Sequence, residues 1–162
     1  MSTDLSNKVV VVTGASLGIG RASALAFGKA GASVIVNYRS HEDQAAEVVS
    51  EIEKAGGQAI AHQADVANLE SVKALVDKAV CEFGRLDIAV SNAAYSDREL
   101  FYQADMEGFR RTVDVTMWGA FYLTRVATQQ MITQGEGGII TLVSSPHAFI
   151  PAPRPTASNM PK

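Results

Sequence analysis

The sequence predicts an α/β fold: a doubly wound parallel sheet with the strand order 3-2-1-4-5. Two observations predict it. Short runs of β-branched and apolar residues alternate with longer stretches of helical periodicity, and a glycine-rich turn joins the first run to the first helical stretch. Strands of such a sheet are buried on both faces, which explains why these runs are apolar throughout. The predicted strands cover residues 8–13, 33–37, 59–63, 88–92 and 138–143, and the predicted helices cover residues 19–29, 42–55, 69–83 and 106–134.

The composition is typical of one globular domain that spans residues 1–162. Of the 162 residues, 47% are apolar and 19% are charged, and the formal net charge is −3. A chain of about 150 residues buries roughly 68 to 70% of the surface that it exposes when unfolded, so its core needs no disulfide or metal. The single cysteine, Cys81, indicates a reducing compartment, and we expect a cytoplasmic protein.

The same composition argues against several kinds of partner. The slightly acidic balance lacks the basic stripe that contact with nucleic acid requires. No apolar run reaches the 18 or so residues that span a bilayer, so we expect no membrane insertion. His41, His62 and His147 share no metal-ligand spacing with one another or with Cys81, and we therefore expect no metal site.

The fourth predicted helix is the longest and has two apolar stripes. A second stripe, consisting of Val115, Trp118 and Tyr122, points away from the first. Two interpretations of this second stripe stay open: a partner helix covers it, from a missing segment or in a homo-oligomer, or a third layer of this chain does. The stripe that we expect to pack on the sheet consists of Met106, Phe109, Val113, Met117, Ala120, Thr124, Ala127 and Met131.

Two residues predict where helices begin. Asn68 precedes the third predicted helix, and Asp105 precedes the fourth. Side-chain oxygens of Asn and Asp accept hydrogen bonds from the unpaired N–H groups of a first helical turn. We therefore expect both residues to be N-caps.

The main functional signal is the turn that follows the first strand. It contains Gly14, Gly18 and Gly20, with Ser16 and Ile19 between them, in the pattern T-G-x3-G-x-G. Glycines in such a turn let the backbone approach a phosphate closely, and the helix N-terminus offers N–H groups and a partial positive charge. Its position in the first βα unit favours a diphosphate cradle over an ordinary turn.

The end of the second strand indicates which dinucleotide the turn binds. A carboxylate there would bond the ribose diol of NAD and repel a 2′-phosphate, but this chain has Tyr38 followed by Arg39. The guanidinium of Arg39 suits phosphate geometry, and Ser16 and Ser40 add hydroxyl donors. We therefore expect NADP as the cofactor, with NAD as the alternative. The competing interpretation is that Arg39 is a solvated surface charge.

Together with further motifs in matching order, this turn makes the chain similar to the short-chain dehydrogenase/reductase family over essentially all of its length. Asp65-Val66 resembles the family's adenine-contacting pair, and Asn92-Ala93 lies in a segment that resembles its N-N-A-G motif. The resemblance is closest to glucose 1-dehydrogenases and 3-oxoacyl-carrier-protein reductases. It implies a Rossmann-type fold, NAD(P), a small carbonyl or alcohol substrate, and hydride transfer between ketone and alcohol.

The resemblance also implies a set of catalytic positions, and two of them depart from the family pattern. Ser145 matches the Ser that polarises the substrate carbonyl, and Lys162 matches the Lys of the family's Y-x3-K motif, which binds ribose and tunes the Tyr. Ser158 stands where that Tyr belongs. Thr116 stands where the family has an Asn that helps to hold a proton-relay water.

The replacement of Tyr by Ser bears directly on catalysis. A phenol has a pKa near 10, whereas the pKa of an aliphatic hydroxyl lies roughly 6 units higher, close to that of water, and this gap corresponds to about 8 kcal/mol. One Lys does not supply so much, and we therefore expect little or no turnover from the chain as written. The alternative from another class is a non-catalytic NADP-binding module or sensor.

The family pattern continues beyond the Y-x3-K motif, whereas this sequence stops at Lys162. We therefore expect a sheet that lacks the last two strands of the family. Ser158, and Pro161 where the family commonly has Ala, each differ from the family residue by a single base in the codon. These oddities lead to the hypothesis of a truncated or error-bearing sequence.

Overall fold

The structure is a computed structural model, and it describes residues 4–96 and 102–146. The strands are β1 (Val9–Val12), β2 (Ser33–Tyr38), β3 (Gln58–Gln63), β4 (Ile88–Ser91) and β5 (Ile139–Leu142). The helices are α1 (Gly18–Lys29), α2 (Glu42–Lys54), α3 (Leu69–Phe83), α4 (Met106–Thr112) and α5 (Gly119–Thr133), with a π-helical segment (Val113–Trp118) between α4 and α5.

All five strands form one parallel sheet in the order β3-β2-β1-β4-β5, which confirms the predicted fold class. Successive side chains of a strand point to opposite faces, so each face of the sheet has its own core. Val9 and Val11 of β1 pack in a cluster with residues of α3 and α5. Val10 and Val12 pack in a second cluster with residues of α1 and α2. Because all the strands are parallel, their carboxyl ends lie at one edge of the sheet.

The predicted fourth helix is one continuous run, although a π-helical segment interrupts its α-helical geometry. The backbone stays right-handed and helical at both junctions of that segment. Ala127 and Met131 are buried, as predicted. Met106 and Met117 are 61% and 43% exposed, so the predicted sheet-facing stripe is wrong over the first half of the run.

The buried side of this run is shifted by about one residue from the predicted stripe. Val115, which we placed on the second stripe, is buried, and so is Leu123. Between them, Gly119 contacts the core: a Cβ at this position would lie 2.8 Å from Cγ2 of Val66. The helix thus contacts the core through a glycine. Because glycine has no side chain, the apolar periodicity of the sequence does not reveal this contact.

The two predicted N-caps are confirmed. The side-chain oxygen of Asn68 accepts a hydrogen bond from the backbone N–H of Ser71, and the carboxylate of Asp105 accepts from the N–H groups of Glu107 and Gly108. These caps fix the starts of α3 and α4.

A buried carboxylate lies at the amino end of the sheet, opposite the edge at which the glycine-rich turn is found. Asp87 accepts hydrogen bonds from Nε and Nη2 of Arg85 at 2.8 and 2.7 Å, from the backbone N–H of Val9 at 2.9 Å and from Nζ of Lys8 at 3.1 Å. Burial alone raises the pKa of Asp87, but these hydrogen bonds and the charge of Arg85 outweigh it and hold the pKa below its ordinary value.

In the part of the chain that the structure describes, no helix is both long enough and apolar enough to cross a bilayer.

Candidate nucleotide-binding site

The glycine-rich turn lies at the carboxyl end of β1, where the chain passes from the sheet into α1. Gly14 and Gly18 have φ angles of 61° and 56°, in the left-handed region that residues with a side chain rarely adopt. A Cβ on Gly14 would lie 2.9 Å from Cα of Ala93, and a Cβ on Gly20 would collide with the carbonyl oxygen of Gly14. Backbone atoms cannot move aside, so the turn depends on glycine at both positions.

The first turn of α1 supplies hydrogen-bond donors to this edge of the sheet. The helix has 12 residues and begins at Gly18, and the first N–H groups of a helix have no carbonyl partner within it. Ser16 is buried in the turn, whereas Ile19 is 66% exposed at the start of the helix. The turn thus presents backbone amides and a partial positive charge, the combination that binds phosphate groups.

Asn37, at the end of β2, holds the turn in place. Its Oδ1 accepts a hydrogen bond from the backbone N–H of Gly14 at 3.2 Å, and its Nδ2 donates to the carbonyl oxygen of Ala64 at 3.1 Å. Its own carbonyl oxygen accepts from the N–H of Ala15 at 2.8 Å. Asn37 is 2% exposed and was not among the predicted site residues. The signal that would have found it is an amide side chain at the end of an otherwise apolar strand.

Thr13 and Asn92 join the turn to the segment that follows β4. Nδ2 of Asn92 donates to the carbonyl oxygens of Thr13 and Gly14 at 2.9 and 3.1 Å. The hydroxyl of Thr13 accepts from the backbone N–H groups of Asn92 and Ala93 at 3.0 and 3.1 Å. Asn92 and Ala93 were predicted from the sequence as cofactor-binding residues. Thr13 was not, because the groups that it binds lie about 80 residues away in the sequence.

A cavity of about 390 Å³, hereafter the groove, opens at this edge between the ends of β1, β2, β3 and β4. Gly18, Ile19 and Gly20 are not among its lining residues and lie beside it in the first turn of α1. Predicted cofactor-binding residues that line it are Gly14, Ser16, Arg39, Ser40, Asp65, Val66, Asn92 and Ala93. Residues that line it and were not predicted are Asn37, Tyr38, His41, Ala64, Ala94, Tyr95, Arg111 and Val115.

An ion pair crosses one wall of the groove. Nη2 of Arg111, from α4, lies 2.7 Å from Oδ2 of Asp65, and the backbone N–H of Ala67 donates to Oδ1 at 3.0 Å. Burial raises the pKa of Asp65, but the hydrogen bonds from Arg111 and Ala67 and the charges of Arg111 and Arg39 outweigh it, so the pKa lies below its ordinary value. The Asp65 carboxylate is therefore ionised at neutral pH.

Arg39 follows the last residue of β2 and stands at the mouth of the groove. Its carbonyl oxygen accepts a hydrogen bond from Nε2 of Gln63 at 2.9 Å, which fixes the backbone at this position. The side chain is exposed, and no carboxylate within residues 4–96 and 102–146 forms an ion pair with it. Its positive charge is therefore available to a ligand.

The predicted catalytic residues lie farther along the same edge or outside the described residues. Thr116, in the π-helical segment, donates its hydroxyl proton to the carbonyl oxygen of Tyr95 at 3.1 Å and accepts from the N–H of Tyr95 at 3.3 Å. Ser145 is half-buried and follows β5. Ser158 and Lys162 lie outside the described residues, so the structure does not place them beside Ser145.

The described residues fit a dinucleotide. The glycines leave the space that a Cβ would fill, unpaired helical amides adjoin it, and a guanidinium and a carboxylate line the groove beyond. The described ranges contain no group of three His, Cys, Asp or Glu side chains arranged to hold a metal ion.

Comparison with known proteins agrees with this geometry. The chain is 42% identical over 146 residues to L-rhamnose 1-dehydrogenase (NAD(P)(+)) of Sphingomonas sp. (strain SKA58), which covers 90% of this chain and 58% of that protein. A short-chain type dehydrogenase/reductase from Mycobacterium marinum superposes with a TM-score of 0.91 at 35% identity, covering 98% of this chain and 64% of the other. A 7α-hydroxysteroid dehydrogenase, solved in complex with NADH and 7-oxo glycochenodeoxycholic acid, superposes with a TM-score of 0.88 at 33% identity.

This chain spans less than two thirds of the length of these relatives; for the 7α-hydroxysteroid dehydrogenase the share is 61%. Within the chain, however, the match is nearly complete, because the family model for short chain dehydrogenase covers residues 8–157. The chain belongs to the short-chain dehydrogenase family.

Proposed function

We propose that residues 1–162 form the single, NADP-preferring nucleotide-binding domain of an oxidoreductase that interconverts a small ketone and the corresponding alcohol. The observation that carries this proposal is the groove: a glycine-rich turn with space for a diphosphate at one end and the unpaired charge of Arg39 at the other. A nicotinamide dinucleotide, when bound, supplies the hydride donor or acceptor.

Each part of the dinucleotide has a group of residues suited to hold it. Asp65 and Val66 line the wall on which the adenine would lie, and Asn92 and Ala93 border the turn on the other side. The diphosphate would be held at the glycine-rich turn, formed by Gly14, Ser16, Gly18, Ile19 and Gly20. Because the N–H of Gly14 donates to Asn37, the donors would be the backbone amides at the start of α1.

The 2′-phosphate would be held by a guanidinium and two hydroxyls. Arg39 supplies the charge, and Ser40 and Ser16 line the same groove. A guanidinium binds phosphate with two parallel N–H donors, which favours NADP over NAD. Lys162 would bind the nicotinamide ribose, as the family resemblance implies.

For catalysis, we propose that Ser145 polarises the substrate carbonyl. Thr116 already uses its hydroxyl proton on Tyr95, so its contribution is to hold the segment after β4 and to accept one further hydrogen bond. Ser158 is a poor proton donor because an aliphatic hydroxyl has a pKa about 6 units above that of a phenol. We therefore propose that the chain as written binds NADP but has little or no turnover.

The loss of the acid residue also favours a second candidate function, a non-catalytic NADP-binding module. This candidate requires a folded chain with NADP affinity in the micromolar range and no reductase activity. A chain that reduces ketones with NADPH at ordinary dehydrogenase rates would exclude both this module and the inactivity proposed above. The single cysteine, Cys81, favours a cytoplasmic location for either function.

We also propose that a second copy of the chain covers the outer side of the fourth-helix run. Trp118 and Phe121 are 41% and 51% exposed, and the ring of Trp118 stacks on that of Tyr122 with centroids 5.9 Å apart. Aromatic groups exposed in this way are typical of protein interfaces. Replacement of Trp118 by Ala should then lower the oligomeric state seen by light scattering.

A calorimetric titration with NADPH and NADH tests the proposed cofactor. We expect the chain to bind NADPH about tenfold more tightly than NADH, the size of one good charge-assisted contact. Arg39→Met should remove this preference, whereas Arg125→Met, which removes an exposed charge from α5, should keep it. A folded chain that binds neither dinucleotide would contradict the proposed function.

A further inference from the structure

Arg111 belongs to none of the motifs that identify the nucleotide site, yet it reaches into the groove. It comes from α4, whereas Asp65 follows β3, and the two side chains are 46 residues apart in sequence. Their ion pair is part-buried: the Arg111 side chain is 27% exposed and the Asp65 side chain 34%. The contact is therefore built by the fold and is not a chance pairing on one helix.

This pair fixes both oxygens of the Asp65 carboxylate. Arg111 holds Oδ2 and the N–H of Ala67 holds Oδ1, so the carboxylate has one orientation in the wall of the groove. A carboxylate positioned by two donors keeps lone pairs for a third, such as an exocyclic amino group of a base. Arg111 is thus a positioning residue for Asp65.

The pair also sets the charge of the groove. Arg39, Asp65 and Arg111 all line it, and two guanidinium groups with one carboxylate leave one formal positive charge. The positive charge of Arg39 helps to lower the pKa of Asp65. By the same interaction, the negative charge of Asp65 weakens the positive potential that Arg39 presents to a ligand. Without Arg111, the Asp65 carboxylate would offset Arg39 and repel an incoming phosphate.

We propose that Arg111 determines nucleotide specificity through Asp65: it holds and neutralises the carboxylate, so that the charge of Arg39 stays available to an adenine nucleotide that carries a 2′-phosphate. This inference rests on the proposed function of the groove. It assigns to Arg111 no direct contact with the phosphate, because its guanidinium is already engaged by Oδ2 of Asp65.

The test compares 2′,5′-ADP, which carries one phosphate on each of the 2′ and 5′ oxygens, with 5′-AMP, and these two fragments differ only in the 2′-phosphate. Calorimetric titration of the whole chain gives a dissociation constant for each, and their ratio is the selectivity. The ratio serves as an internal control, since a general packing defect weakens both ligands alike. We expect Arg111→Met to lower the selectivity about fivefold, the effect of one added unit charge in a partly hydrated groove.

Four further variants separate the mechanism from its alternatives. Arg111→Lys keeps the charge and should retain most of the selectivity. Combining Arg111→Met with Asp65→Asn removes the uncompensated carboxylate and should restore it. Asp65→Asn alone should raise the selectivity above that of the unmodified chain. This variant keeps the proposal testable if Arg111→Met fails to fold. Arg110→Met, which removes a neighbouring exposed charge of α4, should leave it unchanged.

Two results would overturn the inference while leaving the nucleotide site intact. Unchanged selectivity in Arg111→Met would show that the pair does not control the charge of the groove. Selectivity that stays low in the double variant would show that Arg111 contacts the phosphate itself. If the unmodified chain binds both fragments equally, the NADP preference and this inference both fail. If it binds neither fragment, the proposed function itself fails.

Discussion

Two carboxylates mark the opposite edges of the same sheet, and their surroundings differ. Asp87, at the amino end, is 8% exposed at its side chain and accepts four hydrogen bonds from three residues. Asp65, at the carboxyl end, is 34% exposed and accepts two, from Arg111 and Ala67. Both have a pKa below the ordinary value because hydrogen bonds to the ionised form outweigh burial.

The difference separates a carboxylate that stabilises the fold from one that is available to a ligand. The oxygens of Asp87 are occupied by donors from Val9 in β1 and from Lys8 and Arg85, which precede β1 and β4, so no room is left for a ligand. The oxygens of Asp65 are oriented but not saturated, and they face the groove. In a doubly wound sheet this matches the general rule that ligands bind at the carboxyl ends of the strands.

The largest effect that the comparison predicts is on stability at the amino end. Asp87→Asn keeps the shape of the side chain but leaves Lys8 without its counter-charge and leaves Arg85 with Glu136 as its remaining ion-pair partner. We expect the free energy of unfolding to fall by about 3 kcal/mol, which lowers Tm by roughly 6 to 12 °C in a domain of this size. Urea and thermal melts measure it. Asp65→Asn is the matched control and should cost less than 1 kcal/mol or so, because that pair is one third exposed.

The next effect is at the carboxyl end and combines stability with binding. In Gly20→Ala the new Cβ meets the carbonyl oxygen of Gly14 and lies 2.5 Å from Nδ2 of Asn92, so the turn must shift. We expect a loss of about 2 kcal/mol in stability and a loss of NADP affinity of more than tenfold. Gly56→Ala strains the backbone with no atom near its Cβ and should leave NADP affinity unchanged. Equal NADP affinity in both variants would contradict the assigned role of the turn.

The third effect is the dependence of stability on pH. Because the folded-state pKa of Asp87 lies below its unfolded value, the stabilisation is complete above the ordinary carboxyl pKa of 3.8 and is lost as pH falls through the folded-state value. Urea melts between pH 7 and pH 2.5 should show the wild-type stability falling more steeply at the acid end than that of Asp87→Asn. Parallel profiles for the two proteins would show that Asp87 does not gain from its ionised form.

Much of the fold was predictable, because β-branched runs and the glycine-rich turn are local signals. The strands lie within one or two residues of their predicted bounds. The packing of the fourth-helix run was not predictable. Its close contact with the core is made by Gly119, and the exposed Met106 and Met117 give a false apolar stripe. The π-helical segment likewise has no signature in the pattern of residues.

The site was predictable only in the parts that local motifs encode. The turn, Arg39 and Asp65 were predicted from such motifs, and the structure places them in or beside one groove. Asn37 and Arg111 were missed because their roles come from contacts with residues 23 to 46 positions away. Such contacts depend on which strands and helices are neighbours in the fold. The sequence pattern predicts the order of the strands but not which individual side chains meet.

The most direct test of the account is the rise in Tm that NADP causes in three proteins: the wild type, Asp87→Asn and Gly20→Ala. NADP at 100 times its dissociation constant adds about 2.7 kcal/mol to the stability of a chain that binds it only when folded. With NADP fixed at 100 times the wild-type dissociation constant, we predict the same rise for the wild type and for Asp87→Asn, despite its lower starting Tm. For Gly20→Ala we predict at most about half of that rise, because a tenfold loss of affinity leaves about 1.4 kcal/mol. A rise that Gly20→Ala retains in full, or that Asp87→Asn loses, would contradict the division between a stabilising edge and a binding edge.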